Sequence, residues 1–204
     1  VNLMYTPNDD LMVYFNWAQS TTPTSLYVTN SNAPFTTNSG YAPERSSLYE
    51  VGAKYNAFKG RMGFTAALFR LEKNNSTITD PSTGDISASS DKQRNQGLEL
   101  SASGNITSNW SIIGTYAFYD SRVTGSQTAA DVGKRIQYVP KNSATLWSTY
   151  SIAAKTPYNL TIGGGITWRE GVWLDAPNTA RVPATLDFDA LISHNFGKHW
   201  RVAM

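Results

Sequence analysis

The chain has 204 residues with 17 basic and 15 acidic side chains, no cysteine, 40% hydrophobic and 12% aromatic content, and only 16% charged residues. Charged residues make up about a quarter of an ordinary soluble domain, so this chain is charge-poor although its mean hydropathy is −0.36. That combination argues against disorder, no stretch approaches the roughly 18 uncharged apolar residues of a spanning helix, and scattered basic residues give no nucleic-acid footprint. What remains is an all-β or mixed globular domain, or a membrane β-barrel whose apolar residues are diluted by alternation.

The start of the chain, Val1 to Tyr5, lacks the charged head and apolar core of a signal peptide. It therefore belongs to a cytoplasmic protein or begins downstream of its own N-terminus. Residues 11–20 read as a first strand, with aromatic residues on both faces, and open into a long polar connection over 21–46. In the next strand, 47–58, Tyr49, Val51, Ala53 and Tyr55 alternate with Glu50, Gly52, Lys54 and Asn56, the period of two that puts one face in an apolar medium. Lys59, Gly60 and Arg61 make a short turn into 62–73, after which 74–91 is again long and polar. Residues 92–104 place Leu98, Leu100 and Ala102 opposite Glu99, Ser101 and Ser103; a short turn leads to 110–123, and 124–138 is the third long connection.

Strand 141–152 turns through 153–158 into the clearest alternation, where Leu160, Ile162, Gly164, Ile166 and Trp168 oppose Thr161, Gly163, Thr167 and Arg169. The three glycines at 163–165 imply a bend or a close backbone approach. A fourth long connection over 171–181 precedes Leu186, Phe188, Ala190 and Ile192, which oppose Asp187 and Asp189, and Trp200 to Met204 begins another strand. Eight strands of ten residues or so exceed the usual five or six and match the nine to eleven that cross a membrane. Short connections alternate with long ones, as in a transmembrane barrel with periplasmic turns and extracellular loops. Tyr5, Tyr49, Tyr55, Trp110, Tyr150, Tyr158, Trp168 and Trp200 then fall near strand ends, where ring amphipathicity suits the membrane interface.

Four segments in order carry a resemblance. LMVYFNWAQS at 11–20 looks like an aromatic up-strand. YAPERSSLYEVGAKY at 41–55 is similar to a "PE-x-S-x-x-YE-x-G-x-K" segment, and RNQGLEL at 94–100 to an "R-x-x-G-x-E" down-strand. Gly133-Lys134-Arg135 with VPKNS at 139–143 and Leu146-Trp147 resembles a "PK/H-x-S…LW" strand. Together they resemble the TonB-dependent outer-membrane receptors, closest to the catecholate branch. The resemblance implies an all-β antiparallel meander of about eight long transmembrane strands, part of a 22-stranded barrel. Residues 1–204 would be a partial barrel domain without the plug or the last strands. It further implies import of a ferric siderophore as the transported ligand, energy relayed by TonB through the absent N-terminal segment, contact with outer-membrane lipid, and a place in the bacterial outer membrane.

No catalytic constellation is present, and no resident cofactor is expected. His194 and His199 flank a short turn without a zinc spacing, and Asp187 and Asp189 are expected to line a polar lumen and to pair with the plug. The sequons Asn74-Asn75-Ser76, Asn105-Ile106-Thr107 and Asn159-Leu160-Thr161 read as turn residues in a bacterial context. An anionic, ring-bearing ferric catecholate calls for cations and aromatic faces in the outer loops. The candidates are Tyr41, Arg45, Arg122, Lys134, Arg135, Tyr138, Trp168, Arg169, Trp173 and Arg181. Arg94 and Arg135 have lumenal carboxylates such as Glu99 or Asp120 as competing partners. Alternatives at this point are a porin-like barrel, a barrel for cobalamin or an oligosaccharide, and a soluble all-β binding module.

Overall fold

The computed structural model describes residues 1–22, 43–75, 77–79, 86–88, 91–126, 128–153 and 155–204. Twelve strands occur among them. They are β1 (Asn2–Asn8), β2 (Leu11–Thr22), β3 (Glu44–Ala57), β4 (Met62–Asn74), β5 (Thr77–Thr79), β6 (Ile86–Ala88), β7 (Lys92–Asn105), β8 (Trp110–Gly125), β9 (Asn142–Ile152), β10 (Leu160–Arg169), β11 (Thr185–Phe196) and β12 (Trp200–Ala203). Ten of them form one antiparallel sheet in the order β1-β2-β3-β4-β7-β8-β9-β10-β11-β12, and β5 and β6 pair as a separate hairpin. The sheet is a meander: every strand pairs with its sequence neighbour, apart from the β5–β6 excursion.

All eight expected strands are present, and each has at least ten residues. Two features depart from the sequence reading. Residues 2–8 form an additional strand, and the 74–91 connection contains the β5–β6 hairpin. β1 was obscured because Thr6 to Asp10 carries turn residues. The structure resolves this by placing the turn at Asp9 and Asp10, where the Asn8 side chain accepts from the Asp10 and Leu11 amides at 3.0 and 2.9 Å. Backbone pairing with β2 then carries the strand through Tyr5, before a register irregularity ahead of Asn8.

The strand ends joined by five short connections (9–10, 58–61, 106–109, 153–159 and 197–199) lie at one end of the sheet, and the strand ends joined by four long ones (23–43, 75–91, 126–141 and 170–184) at the other. The register aligns side chains into rungs. Phe15, Val51, Leu68, Leu98 and Phe118 form one rung, and Val13, Ala53, Ala66, Leu100 and Tyr116 the next toward the short turns. Ile162, Ile166, Leu186, Phe188 and Ile192 continue the apolar face. These side chains are largely exposed, so the sheet hides no conventional core. Apolar surface of this extent on a water-soluble monomer would be anomalous, whereas in lipid it is the required solvent-facing side.

The opposite, inner face carries Tyr14, Glu50, Lys54, Thr65, Glu99, Ser101, Thr115, Thr145, Asp187 and Asp189. Small residues let large ones lie flat on it. A Cβ at Gly52 would sit 2.5 Å from the Tyr14 ring, and one at Gly165 would sit 2.3 Å from Trp147. Gly164, which faces outward, has only an ordinary 3.5 Å contact. The glycine run is therefore a seat for the Trp147 indole on the inner face, a close approach of the kind its mid-strand position implied. Of the proposed interfacial rings, Tyr5, Tyr49, Tyr55, Trp110, Tyr150 and Trp200 are exposed, and the register puts them on the apolar face. Tyr158 lies in the short connection after β9.

Candidate functional site

The site has two levels, an inner wall and a rim of long connections. On the inner wall, the motif residues of the sequence share one face: Glu50, Gly52 and Lys54 on β3, and Gly97 and Glu99 on β7. Period-two spacing groups them within each strand, and the β3–β4–β7 register brings the two sets to one face. The Tyr119 hydroxyl donates to Glu99 Oε1 at 2.6 Å, and the Tyr119 ring meets Phe69 edge-on with centroids 5.6 Å apart. Across β4, Tyr14 on β2 and Glu50 on β3 share the same face. Asp187 and Asp189 project to the same side from β11, opposite Thr167 and Gly165. Among the described residues none of these four carboxylates has a lysine or arginine within ion-pair distance. The wall therefore presents carboxylates that no guanidinium neutralises, with Glu99 held by the Tyr119 phenol.

Glu99 and Asp120 differ from the lumenal pairing weighed for Arg94 and Arg135. Arg94 does bind Asp120, at 3.3 Å, and Arg122 binds the same carboxylate at 2.7 Å. However, Asp120 pairs with Gln96 in the rung of Arg70 and Tyr49, on the outer face. Parity along β8 decides this, because Tyr119 points inward and its neighbour must point outward.

At the rim, the connections 126–141 and 170–184 are tied together. The Asn178 side chain accepts from the Arg135 amide at 2.7 Å and donates to the Arg135 carbonyl at 3.0 Å. The Tyr138 amide donates to the Trp173 carbonyl at 2.9 Å. Residues 172–182 form a small hairpin through the mutual Val172–Val182 hydrogen bonds, and across it the Arg181 guanidinium stacks 5.6 Å from the Trp173 ring centre. Arg181 also reaches Glu170 at 3.4 Å. The hairpin tip is closed by Asp175, which accepts from the Thr179 and Ala180 amides at 2.9 Å and from the Thr179 hydroxyl. These bonds hold the Asp175 carboxyl below the usual carboxylate range, the Thr179 hydroxyl contributing most. Sequence reasoning did not single out Asn178 or Asp175; the signal was the Asp-Ala-Pro-Asn turn composition, and Asn178 does adopt a left-handed φ of 59°.

The candidates separate by position. Lys134, Arg135, Tyr138, Trp173 and Arg181 lie in the two tied connections, and Arg169 stands at the inner-face end of β10. Arg135 spends its guanidinium on the Tyr119 carbonyl at 3.2 Å and its backbone on Asn178, so it holds the loops in register. Arg45, Arg122 and Trp168 lie on the outer face. Tyr41 lies outside the described residues. No group of three or more potential metal ligands occurs among the described residues.

Residues 1–204 match the family model described as TonB dependent receptor-like, beta-barrel. The chain is 30% identical to the probable TonB-dependent siderophore receptor PiuA of Acinetobacter baumannii, over 97% of this chain and 28% of that protein. The crystal structure of PiuA superposes with a TM-score of 0.82 at 28% identity, covering 99% of this chain and 30% of that one. The catecholate siderophore receptor Fiu of Escherichia coli is 30% identical over 90% of this chain and 26% of its own length. The ferrioxamine B receptor of Salmonella typhimurium is 28% identical over 95% and 26% respectively. The chain thus spans little more than a quarter of the length of these relatives.

Proposed function

This chain belongs to the β-barrel family of TonB-dependent receptors, outer-membrane proteins of Gram-negative bacteria, and from that premise we propose that it is part of a receptor wall through which a ferric siderophore is imported. The soluble-module and porin-like readings fall with family membership. The observation that carries the proposal is the tied pair of rim connections, in which the Arg181 guanidinium stacks on the Trp173 ring and which also contain Lys134 and Tyr138. Lys134, Arg169 and Arg181 supply the charge that an anionic iron chelate requires, and Tyr138 and Trp173 supply flat faces for its rings. Arg135 acts through the loops it ties together. Arg45, Arg122 and Trp168 are left out because they face away from the lumen.

The ligand class proposed is a ferric catecholate, although the relatives are named for both catecholate and ferrioxamine ligands. Catecholate oxygens keep a high negative charge around iron, and the rim's cation–aromatic mixture suits charge and ring together. Below the rim, the acidic inner wall of Glu50, Glu99, Asp187 and Asp189 is the surface against which a cationic face of the plug packs. A TonB-driven movement of the plug then opens the path. The 1–204 segment is accordingly one sector of a larger barrel.

The test is ligand binding by the full-length receptor in detergent, followed by fluorescence quenching with a ferric tris-catecholate, a ferric hydroxamate, cobalamin and an oligosaccharide. Catecholate binding that weakens about tenfold or more in Lys134→Gln and Arg169→Gln is expected, since a hydrogen bond to a charged group contributes about 1.5–3 kcal/mol. Hydroxamate preference would overturn the catecholate class. Binding of cobalamin or oligosaccharide with no ferric ligand bound would overturn the siderophore reading.

A further inference from the structure

Arg181 differs from the other rim cations in how it is held. Its guanidinium reaches Glu170 Oε1 at 3.4 Å and the Gly171 carbonyl at 3.5 Å, and lies 5.6 Å from the Trp173 ring centre. Among the described residues, neither Lys134 nor Arg169 has a carboxylate within ion-pair distance. Gly171 is buried at the neck of the 172–182 hairpin, where a Cβ would stand 2.3 Å from the Val182 carbonyl oxygen and 3.1 Å from Arg181 Nε. The missing side chain is what lets the guanidinium lie along the neck.

Glu170 is held in turn from the strands. Its amide donates to the Asn142 carbonyl at 2.9 Å, one step of pairing beyond the end of β10. Asn142 Nδ2 donates to Glu170 Oε2 at 2.6 Å, and the Tyr116 hydroxyl donates to Asn142 Oδ1 at 2.8 Å. The two carboxylate oxygens therefore have separate tasks, one on the strand framework and one on the guanidinium. An unbroken series of contacts runs from Tyr116 on β8 through Asn142, Glu170 and Arg181 to Trp173 in the hairpin. The Glu170 side chain is mostly covered, at 23% exposure, while that of Arg181 stays 48% exposed. The series thus ends on a cation that is fixed yet open to solvent.

We propose that Glu170 is a positioning residue for Arg181, and that Asn142 and Tyr116 set the direction of its carboxylate. This rests on the reading of Arg181 as a chelate-binding cation. An arginine side chain loses rotamer freedom when it takes a ligand, and one already stacked and ion-paired has less to lose. Coulomb attraction and repulsion alone give the opposite sign, because a carboxylate beside the site repels an anionic chelate and its removal would tighten binding. Solvent and salt screen that field at the half-exposed rim, whereas the ordering cost is not screened, so positioning decides the sign.

The experiment titrates the full-length receptor in detergent with a ferric tris-catecholate. Arg181→Gln is expected to weaken binding about tenfold, and Glu170→Ala about fivefold, the ordering cost of one long side chain. Glu170→Gln keeps an acceptor for the guanidinium and is expected to retain most of the affinity. In an Arg181→Gln background, Glu170→Ala should add nothing, because it acts through Arg181. A second readout needs no ligand. The Trp173 contribution to tryptophan fluorescence, taken as the difference from Trp173→Phe, should change in Glu170→Ala as it does in Arg181→Gln, while amide protection across 172–182 stays at the parent level. Unchanged or tighter binding by Glu170→Ala, an equal loss in the Arg181→Gln background, a Trp173 signal unchanged from the parent, or lost protection across the hairpin would each overturn the positioning role. Arg181→Gln binding like the parent would instead overturn the chelate-binding reading of Arg181, and the fluorescence comparison then still decides whether Glu170 places it.

Discussion

Replacing Gly97 by alanine tests whether the inward motif glycines are set by strand contact. An ideal Cβ at Gly97 lies 1.9 Å from the Phe118 carbonyl oxygen, 3.0 Å from its carbon and 3.2 Å from Tyr119 Cδ1. Carbon–oxygen contacts relax near 3.3 Å, so β7 and β8 must separate locally by about 1.4 Å. Backbone atoms bear the clash, and no rotamer change relieves it. A displacement of that size takes ladder hydrogen bonds from about 2.9 Å past 4 Å. With two bonds lost at about 1–3 kcal/mol each, the substitution costs about 2–6 kcal/mol. Gly164→Ala is the internal control, because its Cβ meets only the Asp189 carbonyl oxygen at 3.5 Å. Alanine there is expected to stabilise by about 0.5–1 kcal/mol through reduced unfolded-state freedom. Urea unfolding of the full-length receptor in detergent, followed by tryptophan fluorescence and by heat-modifiable gel mobility, reads both. A Gly97→Ala protein within 1 kcal/mol of the parent would refute the contact argument.

Three further outcomes follow from the same geometry. Tyr119→Phe removes the 2.6 Å donor to Glu99 and is expected to cost about 1.5–3 kcal/mol, read in the same unfolding assay; an unchanged midpoint would show that solvent serves Glu99 equally well. Asn178→Ala severs both bonds to the Arg135 backbone, and should raise amide exchange at Arg135 and Tyr138 about tenfold while leaving β9 and β10 protected. Asp175 has a depressed folded-state pKa, so its contribution to the 172–182 hairpin is complete above the ordinary carboxylate range and is lost as pH falls through the depressed value. Protection of the Thr179 and Ala180 amides, corrected for intrinsic exchange, should therefore drop only in strongly acidic solution, and Asp175→Asn should abolish that pH dependence; loss of protection near neutral pH would contradict the assignment.

Strand existence was legible because period-two alternation survives wherever one face meets an apolar medium. Leu160 to Trp168 needed no tertiary information, and neither did the alternation of short and long connections. The inward position of Asp187 and Asp189 was legible for the same reason. β1 was not, since its turn residues mask a strand that exists by pairing with β2. The rim candidates were chosen by residue type, and residue type does not carry side. Arg122 and Lys134 look equivalent in sequence, yet one shares the face of Phe118 and the other lies in a connection tied across the sheet.

The sequence by itself determined that 204 charge-poor residues form long amphipathic strands, because alternation and turn chemistry act locally along the chain. Only the tertiary structure decided which charges share a surface. Register couples residues tens of positions apart, and a single step along a strand moves a side chain from lumen to lipid. That is why Glu99 came to lie under Tyr119 on the inner wall while Asp120, one residue away, joined Arg94 and Arg122 outside.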